Sequence, residues 1–258
     1  MRLGALLTPA GENPHHLVNE AKAIETEGFD SVWTAHAMGR GFMMHDPLVA
    51  LAAAAAVTSR VELGTAILQL PIYHPTDVAL KVATLMQIAG DRVRLGVGAG
   101  STKSDYLVHE ADFGQRFRDF DQKLAQLRQC FADGTANTGH LALPQRALHG
   151  PPLLLGTWGH HVSRAASEFD GWIASGMHRT VEECSEALKA YRSAGGGRAI
   201  VSTILVTKDA DLGGLREKLE AFRDAGFDDA VVMINPGAPP LSAVRQLDRK
   251  STRLNSSH

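Results

Sequence analysis

A closed barrel of eight β/α units in one domain, the (β/α)8 TIM barrel, is the fold this sequence predicts, on three observations. Eight short apolar runs recur along the 258 residues, each ending in small or polar residues. Amphipathic helical patterns separate them from end to end, the alternation expected of parallel strands joined by crossover helices. The first run passes into Leu7-Thr8-Pro9 and not into a glycine-rich turn, which favours a barrel over a doubly wound open sheet.

The apolar runs lie at residues 3–7, 31–34, 61–67, 93–97, 153–155, 172–174, 200–206 and 230–234. Their unbroken apolar character suits strands buried on both faces. Helical patterns fall at 15–27, 46–57, 77–89, 117–131, 162–168, 181–191 and 215–225. Asp46 ahead of Pro47 reads as an N-cap followed by a ring that presets the first helical φ, and Gly28 and Gly226 stand where helices must stop. A last pattern at 241–247 is shorter than the mean helix of roughly 11 residues. The barrel is therefore expected over 1–247, shortened at its C-terminus, with the polar, aperiodic stretch 248–258 as a non-structural tail.

Composition narrows the partners. With 26 basic and 28 acidic residues spread along the chain and a net charge of −2, no electrostatic footprint favours nucleic acid or an anionic membrane. The alanine-rich stretch 50–57 falls far short of the roughly 20 apolar residues of a membrane span, and the N-terminal run is too short for a signal sequence. Cys130 and Cys184 lack metal-ligand spacing and suit reduced thiols. A cytoplasmic enzyme with a small-molecule substrate is the expectation.

Active sites of such barrels lie at the C-terminal ends of the strands. After the fourth run, Gly98, Gly100, Ser101 and Thr102 combine glycines that let backbone amides approach a ligand with two hydroxyls. After the fifth, Gly156, Thr157, Gly159, His160 and His161 open a helix, where free N–H groups and the macrodipole suit a phosphate. Adjacent histidines do not share a helical face and no carboxylate completes a ligand set, so no metal is expected. His36, just past the second run, is the candidate for moving a proton at neutral pH, with His45 and Tyr73 in reserve.

Several phrases line up in order with one family: Gly28-Phe29-Asp30-Ser31-Val32-Trp33, Val61-Glu62-Leu63-Gly64-Thr65-Ala66, His74-Pro75, Asp91-Arg92-Val93-Arg94-Leu95-Gly96-Val97-Gly98 and Phe169-Asp170-Gly171-Trp172-Ile173. Over about residues 1–235 the chain resembles the bacterial luciferase-like flavin- or F-420-dependent oxidoreductases. The resemblance implies a flavin or deazaflavin at the strand ends. It also implies a cis peptide at Ala66-Ile67 backing the ring beside Thr65, and a phosphate near Gly100 to Thr102 and Thr157 to His161 with Arg164 as charge partner. It implies an oxidoreductase or monooxygenase using reduced FMN on a small organic substrate, with an F-420-dependent hydride transferase as the alternative, and a homodimer. One departure stands out: many relatives carry an acidic residue followed by histidine after strand two, where this chain has His36-Ala37. That substitution keeps a rival of another class open, a non-catalytic flavin-binding or interaction barrel.

Overall fold

The computed structural model describes residues 1–136 and 139–254, the last seven of these by backbone alone. Strands β1 (Arg2–Leu6), β2 (Ser31–Thr34) and β3 (Glu62–Thr65) alternate with α1 (His16–Thr26) and α2 (Pro47–Val57). A short strand β4 (Leu68–Gln69), then α3 (Pro75–Ala89) and β5 (Val93–Gly98), follow. A long excursion carries α4 (Lys103–Val108), α5 (Arg116–Asp133) and the antiparallel pair β6 (Thr135–Ala136) and β7 (Gly139–His140). The order ends with β8 (Leu153–Gly156), α6 (Val162–Glu168), β9 (Gly171–Ser175), α7 (Val181–Ser193), β10 (Arg198–Val206), α8 (Leu212–Ala225), β11 (Asp229–Ile234) and α9 (Leu241–Leu254).

β1, β2, β3, β5, β8, β9, β10 and β11 pair in parallel with their neighbours, and β11 returns to β1, so eight strands close the barrel. β4 continues the third staff after a break and pairs with β5. The unbroken apolar runs are explained by burial on both faces: along β9, Trp172 and Ala174 pack outward under the helices while Ile173 points into the barrel, and along β11 Val231 does the same between Ala230 and Val232. Leu6, Trp33, Leu154, Ile173, Ile200 and Val231 fill the interior. Trp33 needs the space of Gly64, where an added Cβ would lie 2.3 Å from its ring.

Ion pairs close the N-terminal end of the barrel. Glu62 meets Arg2 at 2.8 Å, Arg94 at 2.6 Å and Arg198 at 2.7 Å, and Arg198 also meets the fully buried Asp229 at 2.8 Å. Around the outside, Asp46 caps α2 by accepting from the backbone N–H groups of Leu48 and Val49, both at 3.0 Å. No helix among the described residues is long and apolar enough to cross a membrane.

Three details differ from the sequence reading. The third run is not one strand: the Ala66-Ile67 peptide is cis, as the family resemblance implies, and separates β3 from β4. β10 shifts register between Val201 and Ile204, with Thr203 at φ +60°. The last helix is not short. α9 has 14 residues, because Val244 is buried as an anchor and nothing from 248 to 254 is glycine or proline. Helical backbone therefore occupies 248–254, where a tail was expected; residues 255–258 lie outside the described residues.

Candidate functional site

A cavity of about 530 Å3 opens at the C-terminal ends of the strands, within the roughly 300–1,000 Å3 usual for small-molecule sites. Leu6, Ile173 and Met233 contribute apolar surface from three different strands. His36, Ala66, Ile67, Gly100, Ser101, Gly156, Thr157, His161 and Arg164 line it, so the separate strand ends singled out by sequence are brought together.

Five other candidates do not line the cavity. Thr65 is buried between strands and donates its hydroxyl to the Gly96 carbonyl at 2.6 Å. Gly98 lies against β8, where a Cβ would come within 2.8 Å of the Gly156 carbonyl oxygen, so its first role is packing. Thr102 sits at the entry of α4. Gly159 and His160 belong to a short 3-10 turn, with the His160 ring exposed.

His36 is held from both sides by the segment around the cis peptide. Its N–H donates to the Ile67 carbonyl at 3.1 Å, and its own carbonyl accepts from Gln69 Nε2 at 3.0 Å. The same Gln69 nitrogen donates to Asp105 Oδ2 at 2.7 Å. Both partners are acceptors, so the amide nitrogen must face them. The Gln69 Oε1 atom is left buried without a partner, and His36 Nδ1 is equally alone.

Asp105, on α4 and fully buried, is the keystone of this cluster. It accepts from the Met38 backbone N–H at 3.0 Å and from Arg40 Nε at 2.9 Å, with a second contact from Arg40 Nη2. Burial alone would raise its pKa, but the hydrogen bonds from Arg40, Met38 and Gln69 outweigh burial and hold the carboxyl below its ordinary range. Through Gln69, the Asp105 carboxylate is thus linked to the His36 backbone, while position 37 is a buried alanine.

Burial, with a smaller contribution from His109, pushes the His36 pKa down to about 4. The ring is therefore neutral at pH 7: it can accept a proton or a hydrogen bond, but it holds no imidazolium proton to release. Neither reserve candidate lines the cavity. Tyr73 donates its hydroxyl to Asp46 Oδ2 at 3.0 Å, and burial together with Asp46 raises its pKa; His45 is half-buried, its Nε2 atom buried and unpartnered.

Arg116 was missed by sequence reasoning because it follows no strand; it opens α5 in the excursion between β5 and β8. The signal was local: Phe113 and Phe117 bracket it at helical spacing. Its guanidinium lies 4.0 Å from the Phe113 ring centroid and 4.3 Å from that of Phe117. Phe113 packs edge-on against Tyr106, whose hydroxyl donates to the Ala99 carbonyl at 2.5 Å; Phe117 stacks on His161 with centroids 5.7 Å apart. Arg116 is thereby fixed between the two loops expected to receive a phosphate.

Nη1 of Arg116 donates to the Phe113 carbonyl at 3.0 Å, Nε is buried without a partner, and no carboxylate pairs with the side chain among the described residues. Arg164, the charge partner expected from sequence, is already engaged by Asp121 at 2.6 Å and Glu168 at 3.0 Å. The free donors of Arg116 and the hydroxyls of Ser101 and Thr157 face one cavity, a donor set suited to a phosphate. Gly100 completes the wall: its φ is +74°, and a Cβ there would lie 2.0 Å from Gln69 Oε1. Thr203 also lines the cavity, and a β-branched residue at φ +60° beside a register shift is the kind of strained position that clusters at functional sites.

Residues 1–250 match the family model described as luciferase-like monooxygenase. The chain is 36% identical over 105 residues to 4-hydroxyprotoasukamycin monooxygenase of Streptomyces nodosus subsp. asukaensis, a match covering 38% of this chain and 28% of that protein. It is 36% identical over 137 residues to the F420-dependent glucose-6-phosphate dehydrogenase of Beutenbergia cavernae, covering 51% of this chain and 39% of that one. The matched region is thus less than half the length of either relative. Among solved structures, a monooxygenase from Streptomyces bottropensis superposes with a TM-score of 0.80 at 19% identity, over 96% of this chain and 97% of that one, a likeness of fold.

Proposed function

The chain belongs to the luciferase-like monooxygenase family, and from that premise we propose an oxidoreductase that binds FMN in the strand-end cavity and acts on a small organic substrate. One observation carries the reading: Arg116 lines that cavity and has no carboxylate partner among the described residues. A bound phosphate supplies the counter-charge that the fold does not, through the charge-assisted hydrogen bonds a guanidinium makes.

In this reading Arg116, Ser101 and Thr157 hold the cofactor phosphate. The wall formed by Ala66, Ile67 and Gly156 receives the ring. When bound, the reduced flavin would supply the electrons for oxygen activation or reduction of the substrate. The chain's own groups do the rest. Neutral His36, anchored by Gln69 and Ile67, orients the substrate or accepts its proton, and the apolar wall excludes water.

The second reading, coenzyme F-420 with hydride transfer, draws on the relative from Beutenbergia cavernae, which is named for that cofactor. A homodimer goes with either reading. Its support is α2, residues 47–57, which carries no charged residue and exposes Val49 on its outer side; light scattering gives the mass.

The test is a titration of purified protein at fixed salt with FMN, reduced FMN and F-420, followed by fluorescence and melting temperature, since a ligand of the native state raises its stability by mass action. Saturable binding of FMN supports the first reading and of F-420 the second. Binding of neither by folded protein rejects both.

A further inference from the structure

Five charged side chains line the cavity: Arg40, Arg116, Asp121, Arg164 and Arg179. Arg40 is locked to the fully buried Asp105, Arg164 meets Asp121 at 2.6 Å, and Arg179 meets Glu183 at 3.5 Å. Among the described residues, Arg116 is the cavity cation without a carboxylate partner. Resting on the reading that a cofactor phosphate occupies Arg116, we infer that the substrate is an uncharged, mainly apolar molecule bearing a single carbonyl or hydroxyl oxygen.

Two further observations point the same way. The loop after β2 turns its apolar residues to the cavity: Ala37, Phe42 and Met44 line it, and so do Trp158 and Met177. Phe42 and Met177 are also solvent-exposed, at 48% and 42%. Such side chains at a cavity rim cover an apolar ligand and, in the case of methionine, adapt to its shape. Besides Arg179, which stacks 4.6 Å from the Trp158 ring centroid and is paired with Glu183, the polar side chains of this part of the lining are few: the hydroxyls of Ser175, Ser202 and Thr203 and the His178 ring, enough to orient one oxygen.

The environment of His36 adds an electrostatic argument. Burial that keeps an imidazole uncharged down to about pH 4 also penalises an ion placed beside it. A substrate phosphate or carboxylate next to His36 would meet that penalty with no unpaired cation to offset it.

The experiment uses a matched pair of probes, 1-naphthol and 1-naphthyl phosphate, which share one apolar body and differ by the charged group. Calorimetry on FMN-saturated protein is expected to show 1-naphthol binding about tenfold or more tighter than the ester. Phe42→Asp is expected to weaken 1-naphthol by a similar factor and leave FMN affinity unchanged. Without FMN, the ester gains affinity through Arg116, and Arg116→Leu abolishes that gain and restores the preference for 1-naphthol. The last arm reads the cavity without any cofactor. Failure to bind FMN therefore counts against the cofactor reading alone, whereas equal or tighter binding of the ester to Arg116→Leu protein, or no binding of 1-naphthol, overturns the substrate class.

Discussion

At the N-terminal end of the barrel Arg2, Arg94 and Arg198 share Glu62 and Asp229, whereas at the C-terminal end His36 Nδ1, Gln69 Oε1 and Arg116 Nε are buried without partners. Both ends bury polar atoms, so the difference is not one of burial alone. Polar groups that serve the fold alone are satisfied by the fold. Among the described residues, three of the four buried side-chain atoms that the fold leaves unpartnered belong to residues that line one cavity, His45 Nε2 being the exception.

The largest expected effect breaks the satisfied end. Arg198→Ala removes both arginine hydrogen bonds to the fully buried Asp229, leaving it only Arg2 at 3.6 Å, and removes one of the three arginines on Glu62. A loss of about 3–5 kcal/mol is expected from urea unfolding, with cofactor affinity unchanged in the protein that remains folded. A loss below about 1 kcal/mol would show that the network is dispensable.

The unsatisfied end should reveal itself through pH. The folded-state pKa of His36, about 4, lies below its ordinary 6.5, so the unfolded chain takes up the proton first. Its contribution to stability is present above about pH 6.5 and is lost as pH falls toward 4. At about 1.4 kcal/mol per pKa unit the full difference is at most roughly 3.5 kcal/mol. His36→Ala should flatten the dependence of unfolding free energy on pH across that window and slow turnover without abolishing cofactor binding. An unchanged slope means that other groups dominate it.

Arg116→Leu sharpens the contrast with Arg198. Removal of a charged donor from a phosphate should weaken FMN binding roughly ten- to a hundredfold, while the stability of the cofactor-free protein holds or rises because an orphaned N–H is gone. A parallel fall in both would place Arg116 in the structural class of Arg198.

Gly100→Ala is the smallest change. The left-handed backbone costs a residue with a Cβ about 1–2 kcal/mol, and the new atom presses on Gln69, which holds His36 and Asp105. A modest drop in melting temperature accompanied by weaker FMN binding is expected. A drop in melting temperature alone would confine Gly100 to turn geometry.

Much of the barrel was legible in sequence because its signals are local. The run 230–234 alternates inward and outward but is apolar throughout, since both faces are covered; Asp46-Pro47 caps its helix as such a pair must. The site was legible only where it hangs on strand ends. Gly100, Ser101, Thr157 and His161 follow strands and reach the cavity, but Thr65 has the right position and the wrong direction, turned between strands to bond the Gly96 carbonyl. Asp105 and Arg116 lie in the excursion after β5, where no strand end flags them.

The sequence by itself determined that eight apolar runs alternate with helices, and hence that ligand-compatible residues recur at one end of a barrel, because periodicity and capping depend on neighbours a few residues apart. Only the tertiary structure decided that Asp105 meets Gln69 and Arg40, that burial keeps His36 neutral, and that Arg116 has free donors where Arg164 has two carboxylates. Those properties depend on which groups the folded chain places within hydrogen-bonding distance and which it removes from water, and neither is a function of spacing along the sequence.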